Sequence, residues 1–120
     1  MNIEELREYC MSVKGATESF PFDETTLVFK VVDKMFAYTS IAPKDGIYKV
    51  NLKCNPDRST ELRESYQGVT HGTHTKGLLW NQVWLDCDVP DSLIRELIDH
   101  SVEEVIKKLP KKKQQEYHDL

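Results

Sequence analysis

The chain has no C-x-x-C pair, and its cysteines number only three: Cys10, Cys54 and Cys87. That count argues against a disulfide framework and a zinc ribbon, and it fits a reducing compartment. No apolar run exceeds a few residues, so no membrane span or membrane partner is expected. The opening Met-Asn-Ile-Glu-Glu lacks the basic start and apolar stretch of a secretory signal. A cytoplasmic location follows, and the want of any eukaryotic targeting signal suits a bacterial source. There is no G-x-S-x-G, no G-x-G-x-x-G, no P-loop and no cysteine in an activating motif. Residue chemistry therefore supports no catalysis, and the expectation is a protein that is not an enzyme and carries no cofactor. Excess positive charge is missing too: the net charge is −4 and the pI about 5.5. That balance argues against strong non-specific binding to DNA or anionic membranes.

What is present is a patterned, ordinary globular chain. Its 120 residues, 39% hydrophobic and 30% charged, suit one domain. Three alternating runs, 27–32, 35–41 and 47–53, follow one another, with breaks at Asp33-Lys34 and at 42–46. This is the pattern of an antiparallel meander with one buried face. A helix is predicted over 3–13, where Ile3, Leu6, Cys10 and Val13 recur at helical spacing; Asn2 and Glu5 form its capping box and Gly15 ends it. The connector 15–26 holds Phe20 and Phe22, whose rings are expected under the sheet. A second helix is predicted over 56–66, capped by Asn55 and stopped by Gly68, and its low apolar content places it on the surface. Segment 69–77 reads as a loop or a bent edge strand, and 80–87 as a strand. The third helix, 91–109, has a broad apolar stripe and i,i+4 pairs Glu103–Lys107 and Glu104–Lys108. Pro110 closes it, and the polar tail 111–120 is expected to fray. The fold class is α+β, a two-layer sandwich of antiparallel sheet with helices on one face, in the order α-β-β-β-α-β-β-α. The domain is placed at 1–110.

Specific residues, taken in order, carry a resemblance. They are Phe20-Pro21-Phe22-Asp23, Val28-Phe29-Lys30-Val31, Lys34-Met35-Phe36-Ala37, Asn51-Leu52-Lys53-Cys54, Glu61-Leu62-Arg63, Trp80-Asn81, Leu97-Ile98-Asp99-His100-Ser101 and Lys108-Leu109-Pro110. As an ordered set covering nearly the whole chain, they resemble the YjbR/MmcQ-like family of small bacterial proteins. The resemblance implies a fold similar to frataxin-like and secretion-chaperone-like domains. It also implies a proposed "double wing" DNA-binding role with no catalytic activity. Leu79 stands where the family usually has His, and His71 where Pro is common.

Strand alternation puts Lys49, Asn51 and Lys53 on one exposed face. With Lys30 and Trp84, and with Trp80 and Asn81 adjoining, they compose a candidate nucleic-acid surface. Lys30, Lys49 and Lys53 would hold phosphate, Trp80 or Trp84 would stack a base, and Asn81 would supply a polar contact. The competing reading is that lysines simply cover the wet face every such sheet needs. The basic run 107–113 likewise reads either as a nucleic-acid contact or as a complement to the helix carboxyl end. His71 and His74, with Cys54 or Cys87, could be half of a metal site, but no second spaced pair accompanies them. A frataxin-like iron ridge would need more than Glu4, Glu5 and Glu8, which read as a solvated face. Helix-turn-helix is set aside because a strand separates the second and third helices. The alternative function is a domain binding a small molecule or a protein partner, in the gap between sheet and helices or on the sheet face.

Overall fold

Val31 and Lys34 pair across a two-residue turn, Val32-Asp33, whose φ angles of 49° and 60° are both left-handed. That handedness matches the twist of the strands it joins, although neither residue is glycine. The computed structural model describes residues 1–73, 75 and 77–120. The turn joins β2 (Thr26–Val31) to β3 (Lys34–Ser40), and β4 (Lys49–Lys53) completes the expected meander. Before it come α1 (Ile3–Ser12) and a short β1 (Thr17–Ser19). After it come α2 (Pro56–Ser65), β5 (Val69–His71), β6 (Trp80–Trp84), α3 (Asp91–Lys107) and α4 (Lys111–His118). The six strands form one antiparallel sheet in the order β1-β2-β3-β4-β6-β5.

The helix starts behave as their sequences dictate. Asn2 accepts from Glu5 N while the Glu5 carboxylate accepts from Asn2 N, a reciprocal capping box. Asn55 accepts from Asp57 N and Arg58 N, with Pro56 in the first turn. Leu27, Phe29, Ala37, Val50, Leu52 and Val83 face the helices and are buried against Leu6, Cys10, Leu62, Ile94, Leu97 and Ile98. Burial of this apolar face holds the two layers together.

A bulge interrupts the β2–β3 ladder: Phe29 pairs Ala37, but Lys30 pairs Met35, leaving Phe36 as the extra residue. Phe36 turns into the core, with its ring centroid 6.3 Å from that of Phe29. The buried Ser101 of α3 bridges β3 and β4 just beyond their last direct pair, Ala37–Leu52. Its hydroxyl donates to Phe36 O at 2.5 Å and accepts from Lys53 N at 2.9 Å.

Four expectations are corrected. The connector 15–26 contains β1, held to β2 and tied to α1 by an Arg7–Glu18 ion pair. Phe20 and Phe22 do not tuck under the sheet; they are 46% and 70% exposed. The tail 111–120 is mostly helix, anchored by the buried Tyr117, whose hydroxyl donates to Lys14 O at 2.8 Å. Lys107 pairs with Glu104 at i,i+3 rather than with Glu103. That contact compensates the nearly buried Glu104 carboxylate, which a lone exposed pair would not do. No described helix is long and apolar enough to cross a membrane.

Candidate nucleic-acid interface

In antiparallel strands, directly opposed residues share a face. The register therefore puts Lys30 with Met35, Lys53 with Trp80, Asn51 with Tyr38 and Gln82, and Lys49 with Trp84, all on the side away from the helices. Five of the six residues singled out by sequence thus stand on one face. Asn81 does not. It lies on the core side, 2% exposed, where its amide donates to Ser59 Oγ at 3.0 Å and its oxygen accepts from Arg63 Nε at 2.8 Å. Arg63 also donates to Gly77 O and Trp80 O, each at 3.0 Å. Asn81 is therefore part of the joint between α2, β6 and the preceding loop, buried away from the reverse face. The alternation of β6 carries the signal: Asn81 is two residues from the buried Val83.

The reverse face is not uniformly open. The loop after β5 crosses its centre and is fastened there at Thr73. Tyr38 Oη donates to Thr73 O at 2.6 Å, and Thr73 N donates to Asn51 Oδ1 at 2.8 Å. Gln82 Nε2 donates to Thr73 Oγ1 at 2.5 Å. Asn51 is accordingly 4% exposed, which removes it from the exposed group it was expected to join. Burial pushes the Tyr38 phenol above its ordinary pKa, so it remains a donor to Thr73. Gly72 lets the loop come this close, since a Cβ there would meet Trp80 Cβ at 2.9 Å.

The Thr73 fastening divides the face into two unlike halves. In one, Lys49 sits 5.0 Å from the centroid of the Trp84 ring and 3.0 Å from the Asp45 carboxylate. Backbone donation from Ile47, then the Lys49 contact, holds the Asp45 carboxyl below the usual range, so this lysine keeps a charged partner at neutral pH. The Trp84 indole nitrogen is buried and has no hydrogen-bond partner among the described residues. A depression of about 230 Å³ lies here, lined by Thr26, Tyr38, Asp45, Lys49, Asn51 and Gln82 among others.

In the other half, Lys53 opposes Trp80, whose ring is tilted against Tyr38 with centroids 5.4 Å apart. Lys30 lies one strand further over. Lys30, Lys53 and Trp80 are all half-buried, and neither lysine has an ion pair among the described residues. Lys34 and Lys108 stand at this same end, around a groove shared with Lys53. Sequence reading missed Lys34 because it begins its strand, and it took Lys108 as a partner of Glu104 and as one of a charge run.

Among the described residues, no three His, Cys, Asp or Glu side chains stand together as a metal site. His71 is exposed at the end of β5, and His74 lies outside the described residues. Cys87 is exposed, whereas Cys10 and Cys54 are buried.

A sheet of this order, helices on one side and a loop fastened across the other, defines a two-layer α+β domain found in solved structures. The crystal structure of the Deinococcus radiodurans protein DR2400, with domain DUF419, superposes with a TM-score of 0.87. It is 36% identical and covers 98% of this chain and 88% of that one. The crystal structure of a Pseudomonas syringae protein shares the fold at a TM-score of 0.75 and 20% identity, over 88% of this chain and 99% of that one. The YjbR family model matches residues 11–103, and the chain belongs to the YjbR family. Escherichia coli K12 YjbR is 34% identical over 113 residues, 94% of each chain. YbdF of Escherichia coli O157:H7 is 30% identical over 95 residues, covering 79% of this chain and 76% of its own.

Proposed function

We propose that the protein is a non-enzymatic nucleic-acid-binding module that works through the Lys53–Trp80 half of the reverse face. One observation carries the reading: Lys30, Lys53 and Trp80 share a face, and no carboxylate is paired with either lysine among the described residues. Lysines that only covered a sheet would have no reason to leave one end cationic on a chain of net charge −4. Unpaired cations exchange counterions for backbone phosphates, and an aromatic ring beside them accepts a base. We place the module in the cytoplasm, which the three unpaired cysteines support.

Fluorescence anisotropy with labelled single-stranded and duplex oligonucleotides, at about 50 mM salt, tests this reading. Binding in the micromolar range, weakening as salt rises and at least fivefold weaker in Lys53→Ala, is expected. No binding of either nucleic acid at about 100 μM protein would overturn it.

A second reading, a small-molecule or protein-partner domain, is favoured by a depression of about 500 Å³. Met1, Ile3, Ile47, Tyr48, Leu85 and Asp86 are among its lining residues, and Ile47 and Tyr48 are exposed large apolar groups. A ligand that seats there would raise the melting temperature in a metabolite panel.

A further inference from the structure

The cationic end of the sheet is also a groove. Lys34 at the start of β3, Lys53 at the end of β4 and Lys108 capping α3 surround it, together with Met35, Val105 and Leu109, and its volume is about 260 Å³. Three separate elements each contribute a lysine, and no carboxylate lines the groove. None of the three lysines is in an ion pair among the described residues. The carboxyl end of α3 does not account for Lys108, because Lys107 already stands in its last turn, paired with Glu104. Val105 and Leu109 are 5% and 9% exposed, so one wall is apolar. Charge–charge attraction is stronger beside such a wall than in open water. Like charges gathered on a small concave surface repel one another unless an anion joins them.

We infer that this groove is a seat for one phosphate group, gripped by Lys34, Lys53 and Lys108. We further infer that a nucleic-acid backbone enters the reverse face there; this second part rests on the function proposed above. Lys53 is common to the groove and to the Trp80 pair, so a phosphate in the seat leaves its neighbouring base beside the Trp80 ring. An apolar floor and three ammonium groups suit a phosphate ester, which offers several acceptor oxygens and an organic substituent.

Amide chemical shifts of the labelled protein would be followed while inorganic phosphate, adenosine 5′-monophosphate and a single-stranded oligonucleotide are added in turn, at constant ionic strength. Phosphate and nucleotide are expected to move Lys34, Met35, Lys53, Lys108 and Leu109. The Lys34→Ala/Lys108→Ala double variant should weaken oligonucleotide binding about tenfold or more, and Lys44→Ala, at the opposite end of the sheet, less than about twofold. Both altered lysines are exposed, so the double variant should melt as the parent does. Because the seat holds one phosphate, it should contribute about −0.7 to the single-strand salt slope, and the double variant should lose most of that contribution. Oligonucleotide binding weakened equally by Lys44→Ala and by the double variant would refute the seat and leave the nucleic-acid reading standing. Groove shifts with phosphate, but an oligonucleotide bound no tighter than the mononucleotide, would uphold the seat and overturn the nucleic-acid reading. No groove shift with inorganic phosphate or nucleotide would refute the seat outright.

Discussion

Ser101 Oγ lies 2.5 Å from Phe36 O and donates to it, which binds α3 to a strand carbonyl just beyond the last β3–β4 pair, Ala37–Leu52. The same hydroxyl accepts from Lys53 N, so one side chain satisfies two main-chain groups at a buried point. Ser101→Ala leaves both without a partner. A loss of about 1–3 kcal/mol is expected in urea unfolding at neutral pH. Because Lys53 N belongs to the proposed interface strand, its amide resonance should move in the same variant.

Thiol reactivity should divide the cysteines. Burial pushes the Cys10 thiol up to about 12, and it raises Cys54 as well, so neither supplies thiolate at neutral pH. Cys87 is exposed. Titration of the native protein with a chromogenic disulfide should modify Cys87 quickly and the other two only after denaturant is added. Rapid reaction of Cys10 in the native state would contradict its packing.

Acid should destabilise the fold through carboxylates that accept main-chain hydrogen bonds. Asp88 accepts from Gly68 N at 2.8 Å and Gln67 N at 2.7 Å, and these bonds hold its carboxyl below the usual value. Thr25 N and Thr26 N do the same for Asp23. Each group has a lower pKa folded than unfolded, so its stabilising contribution is complete above the unfolded value and lost as pH falls through the folded one. Melting temperature should hold steady from pH 7 to about 5 and fall below about 4. Asp88→Asn should lower it at pH 7 and make the acid fall shallower.

The Val32-Asp33 turn offers a stabilising change. Asp33 is exposed at φ 60°, a conformation glycine adopts without cost and which the second position of this turn type favours. Asp33→Gly is expected to add about 0.5–1 kcal/mol by chemical denaturation. Val32→Gly should gain less, because Val32 also packs against the core.

The meander was legible because three consecutive runs alternate with period two, and that period puts Lys30, Lys49, Lys53 and Trp84 on one side, where Trp80, expected only to adjoin them, also stands. Coverage of that side was not legible, since it depends on where a glycine-containing loop lands in space. Asn51 gave a hint: an amide in mid-strand, in one row with Tyr38 and Gln82, needs a partner. β1 escaped notice because three polar residues show no pattern, and pairing with β2 alone makes them a strand. α4 escaped because its Lys, Gln and Glu residues form no apolar stripe. Their good helix propensity was the available signal, and Tyr117 supplies the anchor. The exposed Phe20 and Phe22 show that an aromatic residue in a connector is weak evidence for burial.

Lys14 and Tyr117 are joined twice: the phenol donates to Lys14 O, and the Lys14 ammonium stands 4.9 Å from the ring centroid. Lys14 Nζ also donates to His118 O at 3.3 Å. The seam between the outgoing end of α1 and the final helix is thus a single latch. Deuterium uptake at the two should rise together when it opens, ahead of the central strands, and Tyr117→Ala should quicken both while leaving β3 and β4 protected.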